Sequence, residues 1–171
     1  MVATLVSRSQ LSLVLGLTLV WAACSSAQKP KERQDTKKSD CVRGEPEALL
    51  ASRSDFNRSG VGEATEKVRT ESPVALTIRH FGCAHYALDF EFTWPQARMP
   101  EPAVSFGEAA AVLEKLPVAD TYRPLMRNLV AAVRKMAQEP YKQPLTMSET
   151  ETLSATTPAL NVLQIHYDVA L

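Results

Sequence analysis

The sequence predicts an α+β domain in which a small antiparallel sheet is covered on one face by two or three helices. Apolar and polar residues alternate over 74–94 and again over 161–171, which is typical of strands with one buried face. Between these segments, apolar residues recur with helical spacing. With 171 residues, of which 45% are hydrophobic, the chain can bury one core, and we expect a single globular domain over 41–171.

The segment 74–94 is predicted to form a β-hairpin at the centre of the sheet. Side chains alternate between the two faces of a strand, so residues of one parity share a face. The polar parity holds Thr77, Arg79, Asp89 and Glu91, and the apolar parity holds Val74, Leu76, Ile78, Tyr86, Leu88, Phe90, Phe92 and Trp94. We expect the strand 161–171 to join this hairpin and the helices to cover its apolar face.

Two helices are predicted between these strands. Ser105, with Glu108 three residues later, fits a capping box, so the first helix should run over 106–116 and end at Pro117. The second helix, 123–138, carries an apolar stripe at the spacing of an amphipathic surface helix. Both are expected to lie on the sheet.

The remaining elements are predicted from shorter patterns. A short helix is expected at 46–53, where a proline stands in the first turn. Residues 55–70 are interpreted as a surface loop that includes an edge strand over 64–70, since glycine and charges are frequent there and large apolar side chains scarce. Within 144–153, the spacing of Ser148 and the glutamate three residues later predicts a further short helix.

Residues 1–23 are predicted to be a secretory signal peptide. Arg8 precedes the apolar run 11–20, which is too short to cross a bilayer comfortably as an anchor helix. The run leads to Trp-Ala-Ala-Cys, which ends at Cys24 and is followed by two serines. This arrangement resembles the lipobox of bacterial lipoproteins, in which a cysteine follows two small residues directly after the hydrophobic region. The resemblance covers 1–26 and none of the folded domain.

The lipobox resemblance implies cleavage before Cys24, a diacylglyceryl thioether on its sulfur and an acylated amino terminus. More than one acyl chain makes such a membrane anchor durable. A serine directly after the cysteine, here Ser25, resembles the sorting signal of outer-membrane lipoproteins, which would place the domain in the periplasm or at the cell surface. The sequence departs from the family at Trp21, where leucine is favoured. The alternative is ordinary signal-peptidase cleavage after Ala27, which would leave a soluble periplasmic or secreted protein.

The stretch 24–40 is predicted to be the lipidated cysteine followed by a disordered, charged linker. It lacks large aliphatic and aromatic residues and cannot offset the entropy of ordering. Arg8 gives 1–24 a charge of +1, and five basic against three acidic residues give 25–40 a charge of +2, which leaves −3 for 41–171 in a chain of zero net charge. A mildly acidic domain offers no electrostatic footprint for nucleic acid, so we expect no nucleic-acid partner.

Cys41 and Cys83 are expected to form a disulfide, because an exported protein folds in an oxidising compartment. The interval between them would let the bond stabilise the fold by about 4 kcal/mol at most in the chain-entropy description. It would also join the start of the domain to the hairpin loop. The alternatives are metal ligation by Cys83 and a free thiol.

The densest set of potential metal ligands is His80, Cys83 and His85 in the hairpin loop, with His166 in the last predicted strand. Thiolate sulfur and imidazole nitrogen suit zinc or copper. His80 has the parity of the buried residues and His85 that of the polar ones, so strand geometry points them apart. We expect no metal and no other cofactor, and the alternative is a periplasmic metal-binding lipoprotein that uses these residues.

The chain carries no Gly-x-Ser-x-Gly, His-Glu-x-x-His or glycine-rich phosphate loop. Asp89 and Glu91 could act as the acid–base pair of a cell-wall hydrolase, but solvated strand carboxylates are common. We therefore expect a non-enzymatic binding module of the cell envelope, of an inhibitor, immunity or assembly-accessory type, with an envelope protein or the cell wall as partner. Its candidate interaction face comprises Asp89, Glu91, Gln164, His166 and Asp168.

Replacing Cys24 by alanine should abolish lipid attachment, because the sulfur that would carry the diacylglyceryl group is lost. In cells fed an alkyne-bearing palmitate, the parent protein should acquire the label and sediment with membranes, and the Cys24→Ala variant should do neither. Ser26→Ala changes a neighbouring residue, keeps the sulfur and should remain labelled. Equal labelling of the two variants would contradict the lipobox interpretation.

Overall fold

Alternating side chains build one antiparallel sheet of seven strands, and two helices pack on one of its faces. The computed structural model describes residues 46–52, 55–82, 85–139 and 144–170. The α+β class is confirmed, and the sheet is larger than predicted. The strands are β1 (Phe56–Gly60), β2 (Glu63–Val68), β3 (Ala75–Phe81), β4 (Tyr86–Thr93), β5 (Leu145–Thr146), β6 (Glu151–Ala159) and β7 (Val162–Val169). The helices are α1 (Pro102–Glu114) and α2 (Arg123–Gln138), with a 3-10 turn at Asp120–Tyr122 before α2.

Several predicted features lie outside the described residues. These are the signal peptide, the lipidation site Cys24, the linker, and both cysteines of the expected disulfide, Cys41 and Cys83. Within the part of the chain that is described, neither helix combines the length and the hydropathy that crossing a membrane would require.

The predicted hairpin 74–94 is confirmed as β3 and β4, and it lies at the centre of the sheet. The strand order is β1-β2-β3-β4-β7-β6-β5. The chain thus lays down four strands as successive hairpins, continues through the two helices and returns with three more strands. The predicted C-terminal strand is β7, which pairs with β4 so that Ile165 lies opposite Phe90. The two halves of the chain meet at this β4–β7 ladder.

The core lies between the apolar face of the sheet and the two helices. Its largest fully buried side chains include Trp94, Phe90 and Phe92 on the central hairpin, all on the predicted apolar parity. Leu129 and Val133 of α2 are also completely buried, and they lie one helical turn apart on the stripe that faces the sheet. Burying each such side chain contributes about 1.5–3 kcal/mol, so the alternation decides which face the helices cover.

The region 55–70 is not the predicted surface loop, because it forms β1 and β2. Gly62 lies in the tight turn between these strands with a φ of 73°, a conformation that favours glycine. In β2 the fully buried positions are occupied by Ala64 and Glu66. The buried face of β2 therefore has no row of large apolar residues in the sequence. β2 is also an inner strand, between β1 and β3, rather than the predicted edge.

The segment 46–52, which we call the N-terminal strap, is irregular, with bends at Leu49 and Ala51, and the helix predicted there is wrong. Leu50 forms an isolated β-bridge with Val118 in the connection between the helices. The backbone N–H groups of Leu49 and Leu50 donate to the carboxylate of Glu66 at 2.7 and 3.1 Å. The backbone N–H groups of the strap thus bond to other parts of the fold instead of within a helix. Local helix propensity therefore does not decide the conformation of the strap.

Glu66 and His80 form a buried pair beneath the strap. Each is 1% exposed, and His80 Nε2 lies 2.6 Å from Glu66 Oε1. The Phe56 ring meets the His80 ring edge-on, with 5.7 Å between the ring centroids. A buried carboxylate is tolerated only when hydrogen bonds replace its water, and the strap and β3 together supply them.

Helix α2 begins and ends as predicted, whereas α1 begins before the predicted residue 106. Pro102 stands in the first turn of α1, where the N–H that proline lacks has no partner within the helix. Ser105 is therefore not the N-cap. It is buried inside the helix, and its hydroxyl donates to the carbonyl oxygen of Pro100 at 2.8 Å.

The short helix predicted within 144–153 is also wrong. Ser148 Oγ accepts a hydrogen bond from the N–H of Glu151 at 3.2 Å, as a cap would, but the chain then enters β6. The same local hydrogen bond suits a turn as well as a helix start. The chain forms a strand here because β7 provides hydrogen-bond partners for the backbone of β6.

Tyr167 is a buried phenol at the inner side of β7, and its hydroxyl donates to Glu151 Oε1 at 2.6 Å. Burial raises the pKa of Tyr167 well above its ordinary value, and the hydrogen bond and negative charge of Glu151 raise it further. The unfolded chain therefore loses this proton at lower pH than the folded chain does. The resulting stability is complete below about pH 10 and is lost as the pH rises above it.

Glu66→Ala should lower the free energy of unfolding by about 3–5 kcal/mol, because the strap N–H groups and His80 lose a buried acceptor. Urea titration of the full chain measures this change. Lys67→Ala, an exposed substitution on the same strand, is the control and should stay within about 0.5 kcal/mol of the parent. If the two variants were equally stable, Glu66 would not hold the strap.

Tyr167→Phe should flatten the alkaline decline in stability. Each proton lost only by the unfolded chain gives a slope of about 1.4 kcal/mol per pH unit, and the variant removes one such proton. Urea titrations at a series of pH values above 9 or so, roughly one unit below the ordinary phenol pKa, give the slope. A parent and a variant with the same alkaline slope would show that Tyr167 ionises as readily in the folded chain as in the unfolded one.

Candidate functional site: the polar face of the sheet

The five predicted interaction residues come together on the face of the sheet opposite the helices. In the β4–β7 ladder Asp89 lies opposite His166, Glu91 opposite Gln164, and Asp168 opposite an alanine. Both helices pack on the other, apolar face. We call this surface the open face, and define it by Asp89, Glu91, Gln164, His166 and Asp168 with the flanking Thr77, Arg79, Ser154 and Thr156.

Asp89 is the fixed centre of the open face. It is 6% exposed, although it lies on the side away from the core. One carboxylate oxygen, Oδ1, lies 2.6 Å from His166 Nδ1, and the other, Oδ2, accepts from the side-chain amide of Gln164. Because both oxygens are engaged, Asp89 holds two neighbouring side chains of β7 in set orientations.

A second charged pair lies beside Asp89. Arg79 of β3 stands opposite Asp89 in the ladder, but its guanidinium reaches Glu91, with 2.6 Å between Nη2 and Oε2. The Arg79 side chain is 46% exposed and that of Glu91 26%, so this pair contributes little to stability, about 1 kcal/mol at most. Its effect is to fix a positive and a negative group side by side at the surface.

On the far side of β7, β6 adds small hydroxyl residues to the open face. Ser154 lies opposite His166, and Thr156 lies opposite Gln164. The side chain of His166 is 42% exposed, and its bond to Asp89 uses Nδ1. The ring therefore offers Nε2 as a donor or an acceptor, according to its protonation state. The arrangement presents oriented hydrogen-bonding groups on the surface of the sheet.

Asp89 and Glu91, the acid–base pair of the hydrolase alternative, lie two residues apart on β4. Asp89 is bonded to His166 and Gln164, and Glu91 is bonded to Arg79, so the two carboxylates serve separate sets of partners. Neither carboxylate lines the clefts that described residues form beside α2, beside Trp94 or beside Leu160. General acid–base catalysis requires a substrate position within hydrogen-bond reach of both groups, and these clefts do not supply one.

The structure does not bring together the histidines of the alternative metal site. His80 is buried on the helix side with Glu66, whereas His166 lies on the open face with Asp89. His85 is exposed at the end of the hairpin loop. Cys83 lies outside the described residues, and among those that are described no three histidine, cysteine or acidic side chains cluster as metal ligands would.

The hairpin loop is constrained at Gly82. Its φ is 113°, and a Cβ placed there would lie 1.7 Å from the backbone carbonyl oxygen of His85. Only glycine fits such a close backbone approach. The position of Gly82 in the loop thus has a structural requirement that is independent of any ligand.

Two important residues were missed by sequence reasoning. Arg79 was placed on the polar parity but not in the interaction face, because its contact with Glu91 depends on the β3–β4 register. Glu66 falls in the edge strand predicted over 64–70, and a lone glutamate among charged residues gives no sign that it will be buried.

Comparison with known proteins gives neither a family nor a structural neighbour. A scan against protein-family models finds no match, and searches of the curated proteins and of the solved structures find none either. Function is therefore inferred from the geometry of this chain: an α+β domain with one helix-covered face and one polar face.

Proposed function

We propose that this chain is a non-enzymatic binding module of the cell envelope, and that it engages a partner protein through the open face. The observation that carries the proposal is the burial of Asp89 and its bonds to two neighbouring side chains. This carboxylate is nearly buried on the side of the sheet without helices, and it orients His166 and Gln164 toward the exterior. Side chains fixed before binding lose less conformational entropy when a partner arrives.

The chemistry of the open face favours a protein over a glycan. Phe90, Phe92 and Trp94, rings on which a sugar could stack, are buried on the opposite face, and Phe81 on the open-face side is itself half-buried. The open face instead presents charges of both signs, with Arg79 beside Glu91. A pattern of this kind selects a partner with the complementary arrangement of charges, and it contributes more to specificity and association rate than to affinity.

The envelope location rests on the expectations from the sequence. The apolar run 11–20 and the lipobox resemblance at Cys24 support export and lipid attachment, and the charged stretch 25–40 supports a linker between membrane and domain. A tethered module of this design would meet its partner close to the membrane surface. The inhibitor, immunity and assembly-accessory roles are all compatible with it.

Thr156→Arg tests the proposed interface directly. Thr156 is exposed on the open face beside Gln164, so a large cation there should obstruct a partner without disturbing the core. Chemical crosslinking in the native cells, capture of the full chain and quantitative mass spectrometry should show the partner reduced by about tenfold or more, as expected for a clash in the middle of an interface.

Thr121→Arg is the matched control, because it makes the same substitution at an exposed residue of the 3-10 turn before α2. It should leave the partner's recovery unchanged, and thermal unfolding should show that both variants fold. If no protein is recovered reproducibly, or if both variants recover it equally, the open face is not the interface. Recovery of cell-wall fragments alone would assign the partner to the glycan class instead.

A further inference from the structure

A cleft of about 780 Å³ lies between the end of α1, the connection 116–120 and the first turns of α2. It is on the helix side of the molecule, apart from the open face. Its floor is apolar and includes Leu116, Pro117, Met126 and Val130. Protein sites for small ligands have volumes of roughly 300–1,000 Å³ and mostly apolar linings, and this cleft has both features.

The rim of the cleft is charged, with an excess of arginine. Arg123 pairs with Asp120 at 2.8 Å, and Arg134 pairs with Glu114 at 2.6 Å. Arg127 lies between them on α2 and forms no ion pair within the described residues. The two acids are therefore already paired, and one guanidinium remains available in the cleft.

The helical spacing explains why these arginines meet. Arg123, Arg127 and Arg134 are separated by four and seven residues, so they form one stripe along α2. The stripe begins at the N-terminus of α2, where the helix dipole adds a further positive contribution. One end of the apolar floor is thus bordered by positive potential.

Two further clefts lined by described residues lack this charge excess. A cleft of about 830 Å³ beside Trp94 is lined by Arg69 and Lys115 but also by Glu71 and Glu108. Glu108 there already accepts from the Trp94 indole N–H at 2.6 Å. The third cleft, of about 590 Å³, is lined by one arginine and one glutamate. Of these three clefts, the one beside α2 favours an anionic ligand most.

We propose that the α1–α2 cleft binds an amphiphile that has an anionic head and a single alkyl chain. Arg127 contacts the head, because a guanidinium presents paired donors that match a carboxylate or a phosphate. The alkyl chain lies on the apolar floor along Pro117 and Val130. A fatty acid and a monoacyl phosphate share this chemistry, and this site is independent of the binding module proposed for the open face.

Photoreactive probes of equal chain length test the proposal on the full chain in nanodiscs of uncharged lipid. The probes are decanoate, decyl phosphate and decanol, each with a diazirine at the end of the chain and each below its critical micelle concentration. Mass spectrometry maps the crosslinked peptides. Either anionic probe, or both, should label 113–134 in preference to the alcohol, and the preferred head distinguishes a carboxylate source from a phosphate source.

Two variants and a control assign the labelling to the cleft. Arg127→Gln should raise the half-saturating concentration of the anionic probes by about fivefold, and Ala131→Glu, which places a negative charge on the exposed lining, should do at least the same. Lys135→Gln removes a positive charge from α2 outside the cleft and should change nothing. Labelling by decanol equal to that by the anions, labelling elsewhere, or equal effects of Arg127→Gln and Lys135→Gln would overturn the proposal.

Discussion

The buried carboxylate of Glu66 connects the parts of this fold that adjacent-strand pairing alone would not join. It accepts hydrogen bonds from Leu49 and Leu50 of the N-terminal strap and lies 2.6 Å from His80 of β3. The strap is in turn bonded to the connection between the helices through the backbone of Ala51 and Pro117. One desolvated charge thus requires the strap, the sheet and the helical layer to be assembled together, because an unpaired carboxylate at this depth would be strongly unfavourable.

The β4–β7 ladder imposes the second constraint, since it sets both faces of the sheet at once. Pairing Phe90 with Ile165 places apolar side chains under the helices, and the same register places Asp89 opposite His166 on the other face. A shift of one residue would exchange the two faces and expose the core. The geometry of the open face is therefore maintained by the packing of the core on the other side of the same strands.

Sequence periodicity predicted the central hairpin, the last strand and α2, because each carries an uninterrupted apolar pattern. It also predicted the side of the sheet on which Asp89 and His166 lie. It did not predict their hydrogen bond, since that depends on strand register. It did not predict β1, and it placed the strand expected over 64–70 at the edge of the sheet, because Ala64 and Glu66 fill buried positions without giving a hydrophobic signal. The short helix predicted from Ser148 is wrong because a serine that accepts a hydrogen bond from the N–H three residues later can begin either a helix or a turn.

The sequence by itself determined the α+β class, the apolar and polar parity of the central strands and the extent of α2. These features depend on side-chain periodicity, which is a local property of the chain. The tertiary structure alone decided the number of strands, the non-helical strap, the burial of Glu66 and the pairing of Asp89 with His166 and Gln164. It also formed the arginine-rimmed cleft between α1 and α2. Each of these depends on contacts between residues distant in sequence, whose free energy outweighs local propensity and leaves no periodic trace.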